Sequence, residues 1–161
     1  GSDPVDSLAG VTFRHLAMLA QIKTSDNDVW NSLRNSGHLS GEPNSALQNR
    51  LERMRNWIES IHFPEDARIK IQEKIDDNAR AQLSPKQITF LERLAVELID
   101  SEWSDEAIGN TIRSISPDCG ISGREAYIAL YWAMLGREHG PKASSLILEI
   151  GKSAAIELFN S

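Results

Sequence analysis

The stretch from Ser122 to Phe159 leaves the chain little choice of secondary structure. Ser122 and Glu125 form a capping box, in which the serine oxygen takes a first-turn N–H and the glutamate reaches back to the cap. Ala126, Tyr127, Leu130 and Met134 follow at helical spacing. Gly136 stands where a helix C-terminus needs a left-handed residue. Arg137, Glu138, His139, Gly140, Pro141 and Lys142 then make a short polar turn. A second helix starts near Ala143, with Leu146, Ile147 and Ile150 on one face. Gly151 breaks it, and a last short helix carries Ile156 and Phe159.

The same signals recur upstream. Residues 11–22 read as a helix capped by Thr12, with Leu16, Leu19 and Ala20 inward. Ser25 caps the next helix, where Asp26 and Asp28 complement the dipole and Val29, Trp30 and Leu33 form the apolar face, ended by Gly37. The clearest pattern runs from Pro43 to Ile61. There Leu47, Leu51, Met54, Ile58 and Ile61 recur at spacings of 4, 3, 4 and 3, a single buried stripe stopped by Pro64. Residues 67–71 alternate apolar and charged and read as extended; residues 75–83 are charged and weakly periodic, and read as a linker or a frayed segment. Ser84-Pro85-Lys86-Gln87 is a strong helix start, and Ile88, Leu91, Ala95 and Leu98 supply its core face up to about Asp100. Ser104, Asp105 and Glu106 open another helix through Ile108, Ile112 and Ile115, and residues 117–120 read as a turn. About eight helices emerge, with no sheet, repeat or low-complexity segment. The expected architecture is an all-α helical bundle of two packed subdomains, 3–80 and 81–161, with the boundary near residues 76–84. Gly1 and Ser2 read as a cloning scar, and the abrupt start at Asp3-Pro4 as the edge of a piece of a longer protein.

Composition narrows the function. A net charge of −6 argues against a sequence-independent nucleic-acid binder, though a local basic patch on an acidic chain remains compatible with RNA contact. The single cysteine, Cys119, fits a reducing compartment, and cytoplasmic localisation is expected. No apolar run approaches the ~20 residues a membrane span needs, so no membrane partner is expected. One cysteine and four dispersed histidines give no metal-ligand spacing, so no metal site is expected. Asp76-Asp77 and Asp105-Glu106 read as a solvated turn and a helix first turn rather than acid–base pairs.

Particular residues carry a resemblance. Ala-Leu-Tyr at 129–131, Leu-Gly-Arg-Glu at 135–138, Gly-Pro-Lys at 140–142 and the helix Leu-Ile-Leu-Glu-Ile-Gly-Lys at 146–152 resemble the end of the class I aminoacyl-tRNA synthetases, where glutamyl and class I lysyl enzymes finish their α-helical anticodon-binding domain. Val-Thr-Phe-Arg-His-Leu at 11–16, Arg-Asn-Trp-Ile at 55–58, Pro85-Lys86-Gln87 and the segment from Trp103 to Ile108 are similar to the class I lysyl-tRNA synthetases in particular. The match is patchy between residues 64 and 83. The resemblance implies a helical cage that grips the anticodon loop of the lysine tRNA, attached to a catalytic domain that joins lysine to its tRNA with ATP and magnesium. It also implies that this region alone is inactive. The family's His-x-Gly-His motif is absent, because His15, His38, His62 and His139 stand apart, and the βαβ periodicity of a Rossmann sheet is missing. Lys142-Ala143-Ser144-Ser145 matches the second class I motif, Lys-Met-Ser-Lys-Ser, only superficially. Two rivals stay open: the same region of a glutamyl-tRNA synthetase, and a helical protein-interaction module without an RNA role, which the acidic charge favours.

Within that reading, the candidate RNA-binding residues are Arg137, His139, Gly140, Pro141, Lys142 and Ser144. Arginine reads or stacks on unpaired bases, a helix N-terminus offers N–H groups to phosphate, and Gly140 with Pro141 lets a stiff backbone approach a base. The plainer alternative is that Arg137 and Lys142 satisfy helix-end carbonyls and solvate a turn. Ser144 either caps its helix or contacts a base. Tyr131 and Trp132 either stack on a base or pack on a neighbouring helix, and Trp57 reads as core. Arg14 and His15 stand either at a seam with the catalytic domain or in solvent. Arg50, Arg53 and Arg55 form either a solvated face or a tRNA-backbone patch.

Overall fold

Helix caps fix most of the architecture of the computed structural model, which describes residues 12–161. Among these residues the chain forms nine α-helices and no strand: α1 (Phe13–Ile22), α2 (Asp26–Asn35), α3 (Ser45–Glu59), α4 (Asp77–Ala81), α5 (Pro85–Asp100), α6 (Asp105–Asp118), α7 (Gly123–Leu135), α8 (Ala143–Ile150) and α9 (Lys152–Phe159). The all-α expectation holds, with one helix more than the sequence shows. Gly1, Ser2, Asp3 and Pro4, and Val11 of the expected first helix and of the 11–16 motif, lie outside the described residues. No helix among the described residues is long and apolar enough to cross a membrane. The chain falls into two units, divided between Lys70 and Ile71.

In the first unit α1 packs on α2 and α3. Thr12 and Ser25 cap α1 and α2 as expected, and Asn44 caps α3. Leu16, Leu19, Val29, Leu33, Leu47 and Leu51 are fully or almost fully buried and make the core. The stripe of α3 is shorter than its periodicity implies. The backbone turns extended at Ser60, so Ile61 leaves the stripe and is 94% exposed. Arg68 fixes this end: its guanidinium donates to the carbonyls of Ile58 (3.0 Å) and Ser60 (3.4 Å), pairs with Glu65 and lies over the Phe63 ring. Trp57 is half-buried between Phe13 and Phe63. Gln21 holds the extended piece after the short 3-10 turn Glu65–Ala67, accepting from the Ile69 N–H and donating to the Ala67 carbonyl.

The second unit is built around α5, which packs on α6, α7 and α9. Phe90, Leu91, Leu94, Ala95 and Leu98 are fully buried there. Ser84 and Gln87 complete a capping box, and Gln87 also donates to the Glu125 carbonyl at the start of α7 (2.9 Å). Residues 75–83 are neither linker nor frayed. Ile75, Ala79 and Leu83 are buried, Asp76 caps the short α4, and α4 packs on α7. The break between units therefore falls ahead of the expected 76–84 boundary. α6 runs through Pro117 to Asp118, so the expected turn is confined to Cys119 and Gly120 (φ 73°). Pro117 has no N–H to give to the Arg113 carbonyl one turn earlier, so α6 forgoes one ladder bond near its end.

Candidate nucleic-acid interface

The turn between α7 and α8 is set by its two ends. At the α7 end the second capping box forms as read, Ser122 with Glu125, and Gly136 takes the left-handed conformation (φ 68°) that stops the helix. An L side chain at that φ is disfavoured, so glycine is required. Gln72 donates its backbone N–H to the Met134 carbonyl at 2.8 Å, satisfying one of the last-turn acceptors.

The turn folds back over α7. The Tyr131 hydroxyl donates to the Pro141 carbonyl at 2.6 Å. Burial, helped by nearby Tyr127 and partly opposed by a hydrogen bond at the Ala143 backbone, pushes the Tyr131 hydroxyl above its ordinary pKa. A Cβ added at Gly140 would lie 2.5 Å from Leu135 Cδ1 and 3.4 Å from the Tyr131 ring. Gly140 is therefore a close-approach glycine, seated against α7. Tyr131 belongs to the scaffold of the turn rather than to a free stacking face. Trp132 is half-buried.

Of the candidate residues, His139, Gly140 and Lys142 are exposed, while Arg137 and Pro141 are half-buried. Ser144 is not. It is 4% exposed, and its hydroxyl donates to Asp105 Oδ1 at 2.6 Å. Ser145 donates to Asp105 Oδ2. Lys142 stands at the cap position of α8 without a side-chain capping bond, and its Nζ lies 3.1 Å from Asp105 Oδ1. Ser144 thus neither caps α8 nor faces solvent. Desolvation alone would raise the Asp105 carboxyl; hydrogen bonds from Ser144, Ser145 and Lys142, with the Lys142 charge, outweigh it and hold the carboxyl below its ordinary value. An internal carboxylate stands beside the start of α8, the place where the sequence pointed to a phosphate.

Sequence reading did not foresee this role for Asp105. Its only local signal, an acid after Ser104 in a helix first turn, is the ordinary dipole complement. The other basic candidates also separate. Arg55 pairs with Asp26 (2.8 Å) and donates to the Ala20 carbonyl (3.0 Å), tying the end of α1 and the start of α2 to α3. Arg53 and Arg14 are exposed, and the His15 and His38 rings lie 5.0 Å apart. Among the described residues no group of three or more His, Cys, Asp or Glu could hold a metal ion.

Comparison with known proteins places the chain. It is 30% identical to a lysine–tRNA ligase of Methanopyrus kandleri over 88% of its length and 27% of the relative's. It is 29% identical to a lysine–tRNA ligase of Pyrococcus horikoshii over 96% of its length and 30% of the relative's. A third, from Picrophilus torridus, is 25% identical over 94% of this chain and 29% of its own. The chain spans less than a third of these relatives. The family model for the anticodon binding domain matches residues 16–157, nearly all of both helical units, and the chain belongs to that family.

Proposed function

We propose that the chain is the anticodon-binding region of a cytoplasmic class I lysine–tRNA ligase and recognises the anticodon loop of lysine tRNA. The observation that carries this reading is the family match across residues 16–157, joined to relatives named lysine–tRNA ligase. The mechanism is positional. A turn held at Gly136, Gly140 and Pro141 presents Arg137, His139 and Lys142 to bases splayed from the loop. Unpaired bases expose their Watson–Crick edges, which such donors read. The activation chemistry, with its ATP and magnesium, belongs to a catalytic domain in the remainder of the parent enzyme. This region alone is expected to charge no tRNA.

The test is binding of a lysine anticodon stem-loop to this chain across a salt series, with a glutamate stem-loop as competitor. Salt-sensitive binding that prefers the lysine loop, and that Arg137→Ala and Lys142→Ala each weaken about tenfold, is the expected outcome for base contacts worth about 1–3 kcal/mol. Preference for the glutamate loop moves the reading to a glutamyl enzyme. Absence of binding at low salt, both here and when the parent enzyme is assayed, leaves the helical interaction module.

A further inference from the structure

Asp105 has more partners than its place in α6 requires. Ser104 already caps that helix, accepting from the Ala107 N–H at 3.1 Å. An acid in the first turn needs only to face the positive end of the dipole. Asp105 instead reaches α8, 39 residues away in sequence for Ser144, and takes both serine hydroxyls and the Lys142 ammonium. Buried hydroxyls need partners, and here one carboxylate satisfies two of them with one oxygen each. The oxygen shared with Ser144 also orients an ammonium whose side chain is otherwise 73% exposed.

We propose that Asp105 is a positioning residue for the anticodon-facing turn, one that makes Lys142 an oriented donor to an uncharged carbonyl on a base edge rather than a phosphate contact. The proposal rests on the function proposed above. Two physical effects combine. A long lysine side chain normally loses rotamer freedom on binding, and one already held by a carboxylate loses less. The carboxylate also offsets the ammonium charge and repels a phosphate brought beside it, while the donors not used by Asp105 still suit a neutral acceptor. In an unpaired loop, such acceptors are the carbonyls on exposed base edges.

The experiment uses Asp105→Asn, Lys142→Ala and the double variant of this chain. Amide exchange is followed over residues 137–147 and, as a control for the core, over α5, and binding of lysine and glutamate stem-loops is measured at several salt concentrations. Asn keeps an acceptor for a serine and removes the charge, so α5 amides should stay protected. Expected are faster exchange at the start of α8 in Asp105→Asn and a severalfold or greater loss of lysine-loop preference in either single variant. The double variant should bind no worse than either. The salt slope of Lys142→Ala should match the unsubstituted chain. A slope flattened by about 0.7, the signature of one lost phosphate contact on a single strand, overturns the proposal. Unchanged exchange and unchanged preference in Asp105→Asn overturn it as well. If the unsubstituted chain and the parent enzyme both fail to bind either loop, the proposed function fails and the base-edge role fails with it. The exchange data then decide whether Asp105 positions the turn at all.

Discussion

Asp105 shows how one side chain's chemistry depends on what faces it. Burial would raise its carboxyl, but two serine hydroxyls and a lysine more than compensate, and the folded carboxyl titrates below its ordinary value of 3.8. A depressed carboxyl pKa means the unfolded chain binds that proton more readily. The residue therefore stabilises the fold fully above the ordinary value, and the contribution is lost as pH falls through the folded one. Urea midpoints measured from neutral pH downward should show the gap between the unsubstituted chain and Asp105→Asn constant until the ordinary aspartate range, then closing as acidity increases. A gap that stays constant to the acid limit would mean the carboxylate is not what Ser144, Ser145 and Lys142 recognise. Gly140 is the complementary case, a residue that matters for its missing Cβ: an added one would lie 2.5 Å from Leu135 Cδ1, so the buried Leu135 side chain would have to shift.

The two capping boxes differ at the scale of elements although their motifs look alike. Glu125 is exposed, and its Oε1 accepts only the reciprocal bond from the Ser122 N–H at 3.1 Å. Gln87 is buried, accepts from the Ser84 N–H at 2.8 Å, and also donates to the Glu125 carbonyl, joining α5 to α7. Removing the buried Gln87 side chain loses two hydrogen bonds to backbone groups and the packing of a core position, so Gln87→Ala should cost about 2 kcal/mol or more, against about 0.5–1 kcal/mol for Glu125→Ala. Chemical denaturation of the two variants checks this, and equal costs would mean the α5–α7 bond contributes nothing. The caps at Ser25, Ser84, Ser104 and Ser122 were legible because donor and acceptor lie within three residues of each other. What sequence misplaced was decided from farther away. α3 stops before Ile61 where Arg68 takes the Ile58 and Ser60 carbonyls. α4 is too short to show a period, and Ile75, Ala79 and Leu83 are buried in a segment whose other residues are mostly charged or polar.

For the molecule as a whole, the reach of each signal sets what the sequence reveals. The 137–142 turn was readable because Gly136 and Pro141 mark it locally; its support by Asp105, 39 residues from Ser144, carried no local mark. Charge is the property that belongs to no residue or helix. The chain carries −6, so under the proposed function it would meet an RNA polyanion with repulsion at long range and attraction where Arg137, His139 and Lys142 make contact. With a screening length of about 10 Å at 0.1 M salt, added salt weakens the long-range repulsion first. If the proposed function holds, the association rate with the lysine stem-loop should stay within about threefold, or rise, as salt increases over the range where basic nucleic-acid binders slow about tenfold or more. The loss of affinity with salt should then appear in the dissociation rate, since the local contacts break there. Stopped-flow mixing separates the two rates. A steep fall in the association rate would show that a broad basic surface steers the encounter, and would move the interface from the 137–142 turn toward a larger basic face.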